Sequence, residues 1–226
     1  MIEKVNWDSD FFGYNVGKLN VNSIDDYNNF LKENKNEYNL IYLFSKTELK
    51  LENQNIKKVD NKLTFIKVIE NQNIKTVNNS IKELTINSDN FESILELAYL
   101  SGIYSRFNLD NNFKNEEFKK LYKVWITNSN QKKIIVKCQN ESILGFVLYS
   151  IDKDKAIIEL ISVSENTQGQ GIASELIHEI EKIGQKNNCK SIEVVTQGNN
   201  LPAVNLYKKN NFNLFNSVLI YHYWNT

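Results

Sequence analysis

Val163-Ser-Glu-Asn-Thr-Gln-Gly-Gln-Gly-Ile-Ala-Ser174 joins an apolar run to an amphipathic one. Ahead of it, residues 156–163 read as a buried strand. After it, Ala173, Leu176, Ile177, Ile180 and Ile183 share one face of a helix predicted over residues 171–186. A strand entering a helix through a small polar loop exposes backbone N–H groups that have no intrahelical partner, and the positive end of the helix dipole reinforces them. Gly169 and Gly171 carry no side chain to hold an oxyanion away. Residues Gln168, Gly169, Gln170, Gly171, Ile172 and Ala173 are therefore expected to form an anion cradle.

Several phosphate-binding patterns compete for this loop. A P-loop requires Lys-Ser/Thr after its last glycine, and Ile172-Ala173 stands there instead. A dinucleotide fold accepts Gly169-x-Gly171 but wants a carboxylate at the end of the next strand, and Ile192-Glu-Val-Val-Thr-Gln197 ends without one. A pyrophosphate loop of the Gln/Arg-x-x-Gly-x-Gly/Ala type is matched by Gln168, Gly171 and Ala173. A plain glycine turn before a helix is the bland alternative. Distance along the chain separates them. Asn200-Leu-Pro-Ala-Val-Asn-Leu-Tyr207 opens a second helix, with Asn199 or Asn200 as cap and Pro202 in its first turn. Asn200, Ala203 and Tyr207 fall at i, i+3 and i+7, hence on one face. A pyrophosphate loop, a strand, and then Asn and Tyr on one helix face suit a long ligand lying between diverging strands.

Outward from this centre the pattern alternates. Strands are predicted at residues 84–86, 133–137, 143–151, 156–163, 191–196 and 218–224. Helices are predicted from a cap at Ser88 or Asp89, around Phe118 to Trp125, over 171–186 and over 201–209. Towards the N-terminus come an extended start at Val5, a helix over 23–35 and strands at 40–44 and 63–68. The polar stretch 70–80 serves as linker, dividing a small N-terminal domain, 1–78, from a larger one, 79–226.

The 226 residues carry 27 cationic and 27 acidic side chains, and 41% are hydrophobic. No global basic field gathers nucleic acid or anionic lipid, so any anion must be held locally. No stretch approaches a membrane span or a signal peptide, and a cytoplasmic address is expected. Cys138 and Cys189 lack metal-site spacing and are expected to be reduced and structural, with no metal site. Asparagine fills roughly one position in six, while Arg106 is the only arginine, which draws attention to a planar bidentate fork there. A surface or ion-pairing arginine is the alternative.

These pieces resemble the GNAT acyltransferase superfamily: Val163, then Gln168-x-x-Gly171-x-Ala173, then Asn200-x-x-Ala203-x-x-x-Tyr207 and Phe212, spanning about residues 81–226. Asn211 departs from the glycine of many members. A narrower likeness covers nearly the whole chain. Trp7-Asp-Ser-Asp-Phe-Phe-Gly13, Tyr104-Ser-Arg-Phe107, Trp125 and Thr196-Gln-Gly-Asn-Asn200 look like the dTDP-fucosamine acetyltransferases. The resemblance implies an α/β (α+β) fold with a mixed, mostly antiparallel sheet flanked by helices, plus a small N-terminal α/β domain. It also implies acetyl-CoA as donor and the amino group of a dTDP-linked dideoxy sugar as acceptor.

Acetyl transfer to an amine needs a neutral amine, a donor for the developing oxyanion and a proton for the departing thiolate. Tyr207, with an ordinary phenol pKa of about 10, is the expected acid, close in basicity to a thiolate. By analogy with the superfamily, backbone N–H groups around Ile161, Ser162 and Val163 serve the oxyanion and the pantetheine arm. Glu159, four residues before Val163 on the same strand face, is the candidate base, with water as the alternative. His178 is expected to face solvent and His222 to be structural. Tyr104, Arg106 and Phe107, in the link between the first two helices of the larger domain, are the candidate acceptor site: two stacking faces and a fork for a diphosphate. A homodimer is suggested by the aromatic last strand and the habit of the superfamily. The alternatives are a related enzyme for another amine or a peptide N-terminus, and a silent acyl-CoA sensor.

Overall fold

The computed structural model describes residues 1–51, 53–70, 80–127 and 132–225. The chain starts with β1 (Glu3–Lys4), α1 (Asn6–Phe12), β2 (Val16–Val21), α2 (Ile24–Lys32) and β3 (Leu40–Ser45). The long strand β4 (Ile56–Val68) follows, then β5 (Ile81–Leu84), α3 (Phe91–Ser101), α4 (Arg106–Leu109) and α5 (Asn115–Thr127). β6 (Lys132–Gln139), β7 (Ser142–Asp152) and β8 (Lys155–Val163) form a meander. Last come α6 (Ile172–Lys186), β9 (Ser191–Gln197), α7 (Leu201–Lys209) and β10 (Asn213–Trp224).

Local chemistry accounts for the boundaries. Ser23 and Asp26 form a reciprocal capping box on α2. The β6–β7 turn places Asn140 and Glu141 at φ 47° and 66°, the left-handed pair that matches the twist of a tight hairpin. Several expectations are corrected. The segment after Val5 is helical, because the Ser9 hydroxyl donates to Val5 O and accepts from Val16 N, holding one turn against the next strand. The α3 cap is Asn90, with no side-chain capping bond, in place of Ser88 or Asp89. β5 lies earlier than predicted, at Ile81–Leu84 rather than 84–86. β4 begins at Ile56, and its polar Lys58 and Asn61, which read as turn residues, find partners in Glu48 and Ser217. β2 escaped prediction, being short and interrupted by Gly17 and Lys18.

The chain divides into two compact units. The first comprises Met1–Leu63, Gln197–Asn199 and Asn216–Thr226, and the second comprises Thr64–Thr196 and Asn200–Phe215. The expected linker falls largely on residues outside the described set. In the first unit the strands run β1-β2-β3-β10-β4 around a core that includes Tyr27, Phe30, Ile41, Leu43 and Tyr221. In the second they run β4-β9-β8-β7-β6-β5. β5 to β8 are successively antiparallel, and β8 and β9 are parallel. This is a mixed sheet flanked by helices. The predicted apolar stripe of α6 is buried at Leu176, Ile177 and Ile180.

Candidate active site

The site is assembled at the C-terminal end of β8. Along one edge β8 pairs with β7 through to Gly145↔Val163. Along the other it pairs with β9 only from Lys155↔Ser191 to Ile158↔Val194, although β8 continues to Val163 and β9 to Gln197. The β7–β8 register shifts at the same level: Tyr149 faces Ile158 and Leu148 faces Leu160, leaving Glu159 as the extra residue. A bulge bends its strand and adds twist. Here it falls where pairing to β9 stops, so a gap opens between the two strands. Strict alternation from Val163 back to Glu159, expected from sequence, is interrupted by that bulge.

Backbone direction follows from one bond. Ser164 N donates to Leu144 O at 2.8 Å, towards β7. Backbone groups alternate sides along a strand, so Ser162 N–H also turns to β7, whereas the N–H groups of Ile161 and Val163 turn to the gap. The Ser162 hydroxyl is engaged elsewhere: it donates to Leu97 O at 2.6 Å and ties α3 to β8.

Beyond Val163 a single 3-10 turn, Glu165–Thr167, leads into the glycine loop. Gly169 and Gly171 have φ of 79° and 85°, a region that costs other residues about 1–2 kcal/mol. A Cβ on either would meet nothing within 4 Å, so the space above the loop is open. Gly171 is the N-cap of α6 and supplies no side-chain cap, which leaves the first-turn N–H groups available to an anion. The Gln168 amide donates to Val163 O at 3.3 Å, clipping the loop to the strand. Gln170 is exposed and Ala173 half-buried, while the Ile172 side chain belongs to the core. These residues fit a pyrophosphate group.

Asn200 caps α7, its Oδ1 accepting from Ala203 N at 3.2 Å, and Pro202 occupies the first turn. The Tyr207 ring is 2% exposed and lies 5.7 Å from Phe65 and 5.6 Å from Phe212. Burial pushes its phenol well above the ordinary value, which corrects the expected match with a free thiolate. Tyr207 is a weaker acid than the sequence suggested and is held in its proton-bearing form. Asn211 sits at φ 63°, so it takes the left-handed turn that glycine provides elsewhere. Asn210 donates to Ser174 Oγ at 3.0 Å, joining the end of α7 to the first turn of α6.

Glu159 accepts from Ser150 Oγ at 2.9 Å and lies 3.8 Å from Lys132 Nζ. Ser105, 4% exposed, caps α4 by accepting from Phe107 N at 3.2 Å. The Arg106 guanidinium lies over the Phe107 ring at 4.7 Å, and Phe107 meets Phe113 edge-on at 5.3 Å. Two of the three acceptor candidates thus form one surface, and Tyr104 is half-buried nearby in sequence. His178 is exposed beside Glu181, and His222 is buried against Tyr42 and Trp224. Sequence reasoning missed Ser150 and Lys132, whose proximity to Glu159 depends on strand register; it named Ser162 for its backbone but missed the bond of its hydroxyl to Leu97, which spans distant elements. Ser105 and the short helix α4 were missed as well, because residues 104–107 read as a link; a serine before a short helical run is the capping signal that would have found them. Among the described residues no cluster of three or more His, Cys, Asp or Glu suits a metal, and no helix is long and apolar enough to cross a membrane.

The sequence pattern of the Acetyltransferase (GNAT) family matches residues 98–212, just over half of the chain. "Spore coat polysaccharide biosynthesis protein SpsD" of Bacillus subtilis is 25% identical over 136 residues, 59% of this chain and 47% of that protein. Streptothricin acetyltransferase of Escherichia coli is 42% identical over 67 residues, 30% of this chain and 38% of that one. The chain thus spans less than half the length of these curated relatives. Among solved structures, a functionally unknown conserved protein of Staphylococcus epidermidis gives a TM-score of 0.63 at 12% identity, covering 94% of this chain and 85% of the other. A GCN5-related N-acetyltransferase of Sphaerobacter thermophilus gives 0.54 at 12% identity, covering 88% and 64%. These two likenesses concern the fold.

Proposed function

We infer, from this site in a chain that belongs to the GNAT acetyltransferase family, that the protein moves an acetyl group from acetyl-CoA to the amine of a nucleotide-linked amino-dideoxy sugar. The observation that carries the transferase assignment is the gap between β8 and β9, closed at one end by an uncapped helix N-terminus. Acetyl-CoA brings an activated thioester. Backbone N–H groups of residues 169–173 hold its pyrophosphate, and those of Ile161 and Val163 meet its amide and thioester carbonyls. Tyr207 supplies the proton to the departing sulfur. Its raised pKa suits a buried partner, because exclusion of water raises thiolate basicity in the same way. Glu159, or water beside it, takes the proton lost by the amine.

The stretches 7–13, 104–107 and 196–200 look like those of dTDP-fucosamine acetyltransferases, and SpsD carries a polysaccharide role in its name. Arg106 on Phe107 offers a cation and an aromatic face for a nucleoside diphosphate. The likeness to streptothricin acetyltransferase favours, as the second reading, an antibiotic or other small amine. Thiol release from acetyl-CoA, measured with dTDP-4-amino-4,6-dideoxygalactose, UDP-linked amino sugars and streptothricin, separates these. Saturable turnover is expected with the dTDP sugar. Turnover confined to streptothricin would transfer the assignment to the second reading, and CoA binding without thiol release from any amine would mark a sensor.

A further inference from the structure

The acceptor loop hangs from α3, and one contact at its root has a shape requirement of its own. Gly102 ends α3 with φ −99° and ψ 1°, a conformation open to any residue, so its glycine is not demanded by the backbone. Space demands it instead. A Cβ at Gly102 would fall on Cζ, Oη and Cε1 of Tyr122, the far end of a ring projecting from α5. Tyr122 is 3% exposed and wedged between Phe118, at 4.7 Å, and Trp125, at 4.9 Å, so it has little room to retreat. From Gly102 the constraint passes along the main chain: Ser105 N donates to Gly102 O at 2.8 Å, and Ser105 in turn caps the helix that presents Arg106 and Phe107. The other end of the same unit is fixed by Ser162 Oγ on Leu97 O, five residues before Gly102.

We propose that Tyr122 is a positioning residue for the amine acceptor: its ring seats against the bare Gly102 backbone and sets where Arg106 and Phe107 stand relative to the end of β8. The proposal rests on the acceptor site described above and adds the group that holds that site in place. A residue that misplaces the loop acts on acceptor binding, while the donor cradle at residues 168–173 lies on other elements and is left as it was.

Gly102→Ala is expected to raise the KM for dTDP-4-amino-4,6-dideoxygalactose roughly tenfold or more while the KM for acetyl-CoA stays within about twofold. Tyr122→Leu removes the ring itself and is expected to raise the acceptor KM on its own, so the Gly102→Ala/Tyr122→Leu double variant, which breaks one contact from both sides, should be no worse than the worse of the two single variants. An unchanged acceptor KM in Gly102→Ala or in Tyr122→Leu, an equal rise for both substrates, or losses that simply add in the double variant would overturn the proposal. Amide hydrogen exchange keeps the test independent of turnover and of the folding of Gly102→Ala. Tyr122→Leu should lose protection at Ser105 and Phe107 with β7 unaffected, and unchanged protection there would also overturn it. Wild-type protein that turns over none of the amines defeats the functional assignment instead, and the exchange result then decides whether Tyr122 holds the loop.

Discussion

Tyr207 combines a nearly dry ring with a proton to give. Because burial raises its pKa, the phenol stays protonated through the range in which an exposed tyrosine would begin to ionise. Tyr207→Phe is expected to lower kcat by roughly 10²–10⁴ without unfolding the protein, measured where chemistry limits turnover. In the wild type, kcat should show no alkaline fall below about pH 10 from this group. Arg106→Lys keeps the charge but loses the planar fork, so the KM for the dTDP amino sugar should rise about tenfold, with acetyl-CoA affinity unchanged. Equal losses toward both substrates would assign Arg106 to the frame of the loop. At this scale the sequence was informative about residue types and silent about neighbours. Asn200, Ala203 and Tyr207 were legible through helical spacing, whereas the Ser150 and Lys132 partners of Glu159 depend on a bulge that no spacing rule announces.

The elements carrying the site are set by a few left-handed residues. Gly171→Ala forces a side chain into φ 85° with no steric neighbour to blame, at a cost of about 1–2 kcal/mol. If the loop reshapes to relieve that strain, acetyl-CoA affinity should drop about tenfold by calorimetry while the KM for the amine holds. Asn211 tests the same physics away from ligands. Asn211→Ala should lower stability by about 1 kcal/mol in urea unfolding, and Asn211→Gly should be neutral or better. Periodicity placed the strand-loop-helix core of the second unit within a residue or two. It failed at α1 and at the first half of β4, where a hydroxyl anchor at Ser9 and side-chain partners for Lys58 and Asn61 override local propensity.

Across the molecule, buried phenols link folding to alkaline pH. Tyr149 is pushed up to about 12, chiefly by burial and then by Glu83 and Glu179, and Tyr207 is raised by burial alone. Both ionise in the unfolded chain near pH 10 but keep their protons in the fold, so their contribution is complete below that pH and is lost as pH climbs above it. The melting temperature should therefore fall between pH 9.5 and about 11 in the wild type, and less steeply in Tyr149→Phe once both are normalised to pH 8. The architecture of the second unit was legible as a whole, but its membership was not. Thr64–Val68 reads as part of an earlier domain, yet Phe65 belongs beside Tyr207. β4 and β10 each start in one unit and finish in the other, so neither unit is an unbroken length of chain. A gene shortened to begin after residue 78 would lose Phe65 and with it one aromatic wall of the Tyr207 ring, opening to water a phenol that burial now shelters.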